Sequence, residues 1–245
     1  MSPVPVQNIL FLDIETVSQF PHYTSLPENW RSLWDIKATS LLKHHEGSTI
    51  ETLYGRAAIY AEFGKIICIS CGLIQGSGKS KRIVLKTFSA STETELLLAF
   101  AEMLGKWSNG DPKFLCAHNG KEFDFPYLCR RMIINGIPIP ALLNISGKKP
   151  WEVAHFDTLE LWKFGDFKNF TSLNLLSLSL GIPTPKDDID GSMVGEIYWA
   201  DAANQASSLQ RIITYCQKDV VAVAQVYLKI HGEELIREEN IEIKT

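Results

Sequence analysis

The sequence predicts an α/β fold, a mixed β-sheet flanked by helices, and three observations predict it. Two β-type runs, 65–73 and 82–88, are separated by the turn Gly76-Ser77-Gly78, the signature of an antiparallel hairpin. From Thr92 onward, strand-like and helix-like segments alternate, the pattern of parallel strands with crossover helices. Of the 245 residues, 45% are hydrophobic, enough for the core of one such domain.

The run Asn8-Ile9-Leu10-Phe11-Leu12 is short, apolar and followed by acids, so it reads as a buried strand ending near Ile14. Residues 18–62 differ in character from the rest of the chain. Segments 28–43 and 49–61 read as two helices, the second opened by a Ser48-x-x-Glu51 capping box. This stretch is expected to be a helical insertion within a single domain covering 1–245. Phe63-Gly64-Lys65 returns the chain to the sheet, and the hairpin comes next. Thr92-x-x-Glu95 caps a helix that runs to Trp107, and 113–117 is a fourth strand. A helix over 125–134 is closed by Asn135-Gly136. Residues 155–157 form a short fifth strand, 171–180 a helix closed by Gly181, and about 207–231 a long last helix. The charged residues after Glu233 are expected to fray.

The formal net charge is −4, which argues against a protein that grips duplex nucleic acid through a broad basic surface. Five scattered cysteines point to free thiols in a reducing compartment. Cys68-x-x-Cys71 lies in an apolar run that reads as a strand, and no second cysteine pair comes after it to complete a zinc site. The six histidines show no ligand spacing beyond the adjacent His44-His45. No apolar stretch has transmembrane length, and Met1-Ser2-Pro3-Val4-Pro5 lacks the charged and apolar regions of a signal peptide. A cytoplasmic protein without a membrane partner is the expectation.

Three short segments carry the chemistry. Asp13 and Glu15 share one face of the first strand, because alternate strand residues point the same way. Asp124 ends Asn119-Gly120-Lys121-Glu122-Phe123-Asp124 at a strand-to-helix junction, where sites gather in α/β folds. Tyr215 and Asp219 stand four apart in a run with helical apolar spacing, so they also share a face. Four close carboxylates repel one another, and hard divalent cations such as Mg²⁺ or Mn²⁺ offset that repulsion. Two such ions can activate a water and stabilise a leaving oxygen, which cleaves phosphodiesters. Asp13 would bridge both ions, Glu15 and Asp219 would complete the one that holds the water, and Asp124 would serve the other. Tyr215 would orient the water and help remove its proton.

These segments resemble the three motifs of the DEDD superfamily of 3′→5′ exonucleases: Asp13-Ile14-Glu15, then Asn119 with Phe123-Asp124, then Tyr215 with Asp219. Tyr215 is similar to the tyrosine of the DEDDy branch; the position where the histidine branch would carry its residue is Thr214. The chain looks most like the stand-alone bacterial relatives of the proofreading exonuclease domain of family B DNA polymerases. Further matching segments are Ala117-His118-Asn119-Gly120-Lys121, Leu161-Trp162-Lys163-Phe164-Gly165-Asp166 and 185–192, and the similarity runs from about Ile9 to about Val226. Asn174 departs from the pattern, which has an Asp there. The resemblance implies a ribonuclease H-like fold and two-metal 3′→5′ hydrolysis of single-stranded DNA, releasing nucleoside 5′-monophosphates. An RNA exonuclease of the same branch and a non-catalytic module that binds nucleic-acid ends are the alternatives.

Several secondary residues carry two readings. Asn119 either holds the substrate strand or serves the turn. Phe123 either stacks on a base or joins the core. Lys121 and Lys218 either contact phosphate or are solvated. The backbone N–H of Thr16 could meet the terminal ribose, a role carried over from the family. The acidic run 186–190 is read as a loop that shapes the groove, and the 18–62 insertion as a lid or a surface for a protein partner.

Overall fold

The computed structural model describes residues 4–166, 170–183, 189–200 and 205–244. Strand β1 (Ile9–Ser18) lies inside the sheet, and its apolar side chains alternate between two cores. Leu10, Leu12 and Ile14 face one core, Ile9 and Phe11 the other, as the two-residue strand period requires. β2 (Gly64–Gln75) runs antiparallel to β1, and β3 (Arg82–Phe88) antiparallel to β2. β4 (Phe114–Ala117) lies parallel to β1 on its other side, and β5 (Phe156–Asp157) parallel to β4. With β6 (Ile241–Lys244) parallel to β3, the order is β5-β4-β1-β2-β3-β6.

Helices cover both faces. On one, Leu96, Leu97, Phe100 and Leu104 of α3 (Glu93–Trp107) and Phe125, Leu128 and Met132 of α4 (Asp124–Ile134) pack on the even-numbered residues of β1. On the other lies the 26-residue α8 (Gln205–Ile230), whose Val220, Val223, Ala224 and Tyr227 pack on Ile9, Phe11, Ile83 and Leu85. Between α4 and α8 come α5 (Thr158–Lys163), α6 (Leu173–Ser179) and α7 (Val194–Trp199). The capping box Thr92/Glu95 forms as the sequence predicts. Gly136 and Gly181 adopt the left-handed backbone just past α4 and α6. No helix among the described residues is long and apolar enough to cross a membrane.

The 18–62 stretch has a small core of its own, built on Leu26, Trp34, Ala38, Leu53, Tyr54 and Ala57. The Tyr127 hydroxyl donates to the Ala58 carbonyl at 2.7 Å, and Arg131 Nη1 to the Ala61 carbonyl at 2.8 Å, tying it to α4. Its first helix, α1 (Glu28–Leu42), falls where the sequence predicts. The second does not. An α-helical turn, α2 (Ile50–Leu53), gives way to a tighter 3₁₀ stretch over Tyr54–Ile59. The cap is the reciprocal pair Thr49/Thr52 rather than Ser48/Glu51. Gly55 inside the segment weakens an α-helix, and short 3₁₀ pieces are the usual outcome.

Two other expectations are corrected. β1 continues four residues beyond Ile14, because β2 supplies partners as far as Ser18. The tail does not fray. The Gln225 side chain exchanges two hydrogen bonds with the Ile236 backbone, at 2.7 and 2.9 Å, and Lys81 pairs with Glu233 at 2.5 Å. Beyond them, β6 joins the edge of β3, whose unpaired backbone groups form a template for one more strand.

Candidate active site

Asp13 and Glu15 extend the Ile9/Phe11 face of β1, the face that α8 covers. Just after Glu15 the pairing with β2 slips: Glu15 stands opposite Cys68, but Thr16 opposite Ile66. Such a bulge re-aims side chains and is common beside active sites. From α8, Tyr215 and Asp219 reach the same place, one helical turn apart. Asp124 opens α4, with its carboxylate close to the Ile14 backbone. Cys216 Sγ lies 3.3 Å from Asp13 Oδ2, and donor atoms of Asp13, Glu15 and Cys216 fall within 4.8 Å of one another.

The electrostatics derive from burial and like charge. Glu15 is 7% exposed and Asp124 3%. Burial raises the Asp13 carboxyl well above its ordinary range, and the charges of Asp219 and Asp124 raise it further. Glu15 is raised by burial first and by Asp13 among others next. Asp124 is pushed up to about 7, chiefly by burial, with its own backbone and that of Ile14 pulling it back. The Tyr215 phenol is raised by burial and then by the charges of Asp219, Glu15 and Asp13. A buried group of carboxylates that disfavour one another's charge calls for a counter-charge. Its donors are mainly hard oxygens, which suit a hard divalent cation, and Asp13, Glu15, Asp124 and Asp219 could hold one.

The loop before Asp124 is fixed from behind. Asp157, at the end of β5, accepts from Asn119 N and Leu159 N at 2.9 Å with one oxygen and from Lys121 N at 3.1 Å with the other. Asn119 has φ +62, a left-handed backbone that Asn tolerates. Gly120 must be small, since a Cβ there would sit 2.4 Å from the Ala117 Cβ. Replacing Asp157 with Ala leaves four N–H donors, those of Asn119, Lys121, Leu159 and Glu160, without their acceptor. Charge-assisted bonds of this kind are worth about 1.5–3 kcal/mol each, and their losses are not additive. We expect Asp157→Ala to cost about 3 kcal/mol in a denaturant titration; a wild-type midpoint would refute this anchor.

The secondary residues divide. Thr16 and Phe123 line the same cavity as Glu15; Phe123 also packs on the Tyr127 ring at 5.3 Å. Lys121 Nζ is 2.8 Å from Glu160, with the side chain 9% exposed, so its charge is already matched. Lys218 lies half-buried on α8. Of the acidic run, 186–188 lie outside the described residues, and Asp190 accepts from Ser192 N and Oγ. Cys68 and Cys71 belong to different cores on opposite faces of β2. Sequence reasoning missed Cys216 and Asp157. The helical one-turn rule that pairs Tyr215 with Asp219 passes over Cys216. Asp157 did leave a signal, an Asp directly before a helix start.

A six-stranded mixed sheet with helices on both faces, and acids gathered at its central strand, is the ribonuclease H-like architecture of polymerase-type exonuclease domains. Residues 59–240 match the family described as "Predicted 3'-5' exonuclease related to the exonuclease domain of PolB", and the chain belongs to that family. The matched stretch holds Asp124, Tyr215 and Asp219; Asp13 and Glu15 precede it. Among solved structures, the family B DNA polymerase from the hyperthermophilic archaeon Pyrobaculum calidifontis is similar, with a TM-score of 0.50 and 16% identity. The alignment covers 93% of this chain and 26% of the polymerase, and the likeness is one of fold. No curated protein matches the chain.

Proposed function

We propose that the chain is a DEDDy-type 3′→5′ exonuclease of single-stranded DNA, one domain over 1–245 with 18–62 as an insertion, releasing nucleoside 5′-monophosphates. The observation that carries this reading is the convergence of Asp13, Glu15, Asp124 and Asp219 with Tyr215 from three distant segments, the carboxylate charges raising the pKa values of Asp13, Glu15, Asp124 and Tyr215. Two divalent ions held by the four carboxylates would supply positive charge at the scissile phosphate and make the attacking water more acidic. The residues do the rest. Asp13, on the interior strand β1, keeps the ligand set at fixed spacing. The raised phenol of Tyr215 stays protonated at neutral pH, so it orients the water rather than taking its proton. Its hydroxyl lies beside Asp219, and its phenolic oxygen can accept from the water.

A gel time course on 5′-labelled single strands, DNA and RNA of matched sequence, tests this with Mg²⁺, Mn²⁺ or EDTA. The expected result is a ladder shortening from the 3′ end of DNA that EDTA abolishes. Shortening of RNA alone would replace the substrate, and no shortening with either metal would overturn the exonuclease reading in favour of end binding.

A further inference from the structure

Glu15 and Asp124 are carried by different elements, a strand and a helix, and a buried ion pair ties those elements together. At the bulge after Glu15, Cys68 stands opposite Glu15 and Ile66 opposite Thr16, so Ile67 is the extra residue on β2. A bulge takes backbone groups out of the ladder. Here the buried Ile66 N–H donates at 2.7 Å to Oε1 of Glu93, the first residue of α3. The same oxygen accepts from Arg131 Nε at 2.9 Å; Oε2 accepts from Arg131 Nη2 and, at 3.1 Å, from Asn135 Nδ2. The Glu93 carboxylate thus gathers donors from β2, from α4 and from the residue that ends α4.

Arg131 lies seven residues after Asp124 on α4, about two helical turns, so the two share the buried side of the helix. Its Nη1 donates to the Ala61 carbonyl at 2.8 Å, just before β2 begins at Gly64. The Arg131 and Glu93 side chains are only 6% and 9% exposed. Taking an ion pair out of water offsets most of its attraction, so such a pair is a poor source of stability. What a guanidinium–carboxylate fork does supply is a fixed distance and orientation. Residues that orient the ligands of a metal without touching it change its affinity about 10–100-fold when replaced. The bulge sets the direction of Glu15, α4 carries Asp124, and the fork joins the one to the other.

We propose that Glu93 and Arg131 are positioning residues: their fork holds the bulge after Glu15 against α4, and so fixes the separation of the Glu15 and Asp124 carboxylates for a divalent ion. This role rests on the exonuclease reading and adds to it a pair of residues outside the three motif segments. The test titrates the protein with Mn²⁺ and follows the electron-spin resonance signal of the free ion. Glu93→Gln with Arg131→Met cuts the fork, keeps an acceptor for the Ile66 N–H and leaves neither charge of the pair buried alone. Expected are a melting temperature in EDTA within about 5 °C of wild type and Mn²⁺ binding about tenfold weaker. In a Glu15→Gln background, cutting the fork should cost less than about twofold further, because one of the two carboxylates it spaces is gone. Wild-type affinity in the folded double variant, or the full tenfold loss in the Glu15→Gln background, would overturn the positioning role and leave the exonuclease reading intact. Should the double variant fail to fold, Arg131→Lys decides in its place, since it keeps the charge and loses the fork. Weaker Mn²⁺ binding there supports the role, and wild-type affinity overturns it. A wild-type protein that binds no Mn²⁺ would overturn both readings.

Discussion

Asp13→Asn is expected to lower the rate of 3′-terminal release by about three orders of magnitude or more. The substitution keeps shape and leaves an oxygen to accept from Cys216, which lies 3.3 Å from Asp13 Oδ2. What it removes is the negative charge at the place where the acids of β1, α4 and α8 meet. Metal-assisted charge stabilisation is worth several kcal/mol at the transition state, and each ~1.36 kcal/mol is a factor of ten. Single-turnover release from a labelled strand measures the chemical step, and calorimetric titration with Mn²⁺ should show weakened binding in parallel. A variant that kept more than a tenth of wild-type activity would sink the proposed site.

The second large effect concerns stability and has the opposite sign. Asp124 titrates at about 7 in the folded protein against an ordinary value of 3.8, mainly because burial disfavours its charge. Between those two values the folded state holds a proton that the unfolded chain has released. Stability from this group is therefore complete below about pH 4, falls as pH rises through the window, and is lost above about pH 7. The change corresponds to roughly 4 kcal/mol. Asp13 and Glu15 are shifted in the same direction. In EDTA at pH 8, Asp124→Asn should thus melt several degrees above wild type, at about 2–4 °C per kcal/mol for a chain of this size. At pH 4 the difference should vanish, and at pH 8 Mn²⁺ should raise the wild-type melting temperature more than that of the variant. Thermal melts at pH 4, 6 and 8 measure it; a variant less stable than wild type at pH 8 in EDTA would show that the cluster is not strained by its own charge. Loss of catalysis together with a gain in metal-free stability is the behaviour expected of residues retained for function rather than for folding.

Much of the fold and of the candidate site was legible because it rests on local periodicity. The strand period puts Asp13 and Glu15 on one face, the helical turn joins Tyr215 to Asp219, and the cap at Thr92 and the stop at Gly136 carry their own chemistry. The helix at 28–42 and the β2–β3 hairpin were readable for the same reason. The second helix of the 18–62 stretch was not, since a glycine and two competing capping residues decide it by a small margin.

What only the tertiary structure decided depends on groups far apart in the chain. The tail becomes β6 because β3 offers an open edge, although its charged residues show no strand periodicity beyond Ile241 and Ile243. Asp157 became the anchor of the Asn119–Lys121 loop only when β5 aligned beside β4. Cys216 came to face Asp13 across 203 positions, and the 18–62 stretch and residues 191–200 came to line one cavity. The residues that can do chemistry, and their pairing along each element, were written in the sequence. Their convergence, the burial that raises their pKa values and the cavity beside them arise from long-range packing, which no local period encodes.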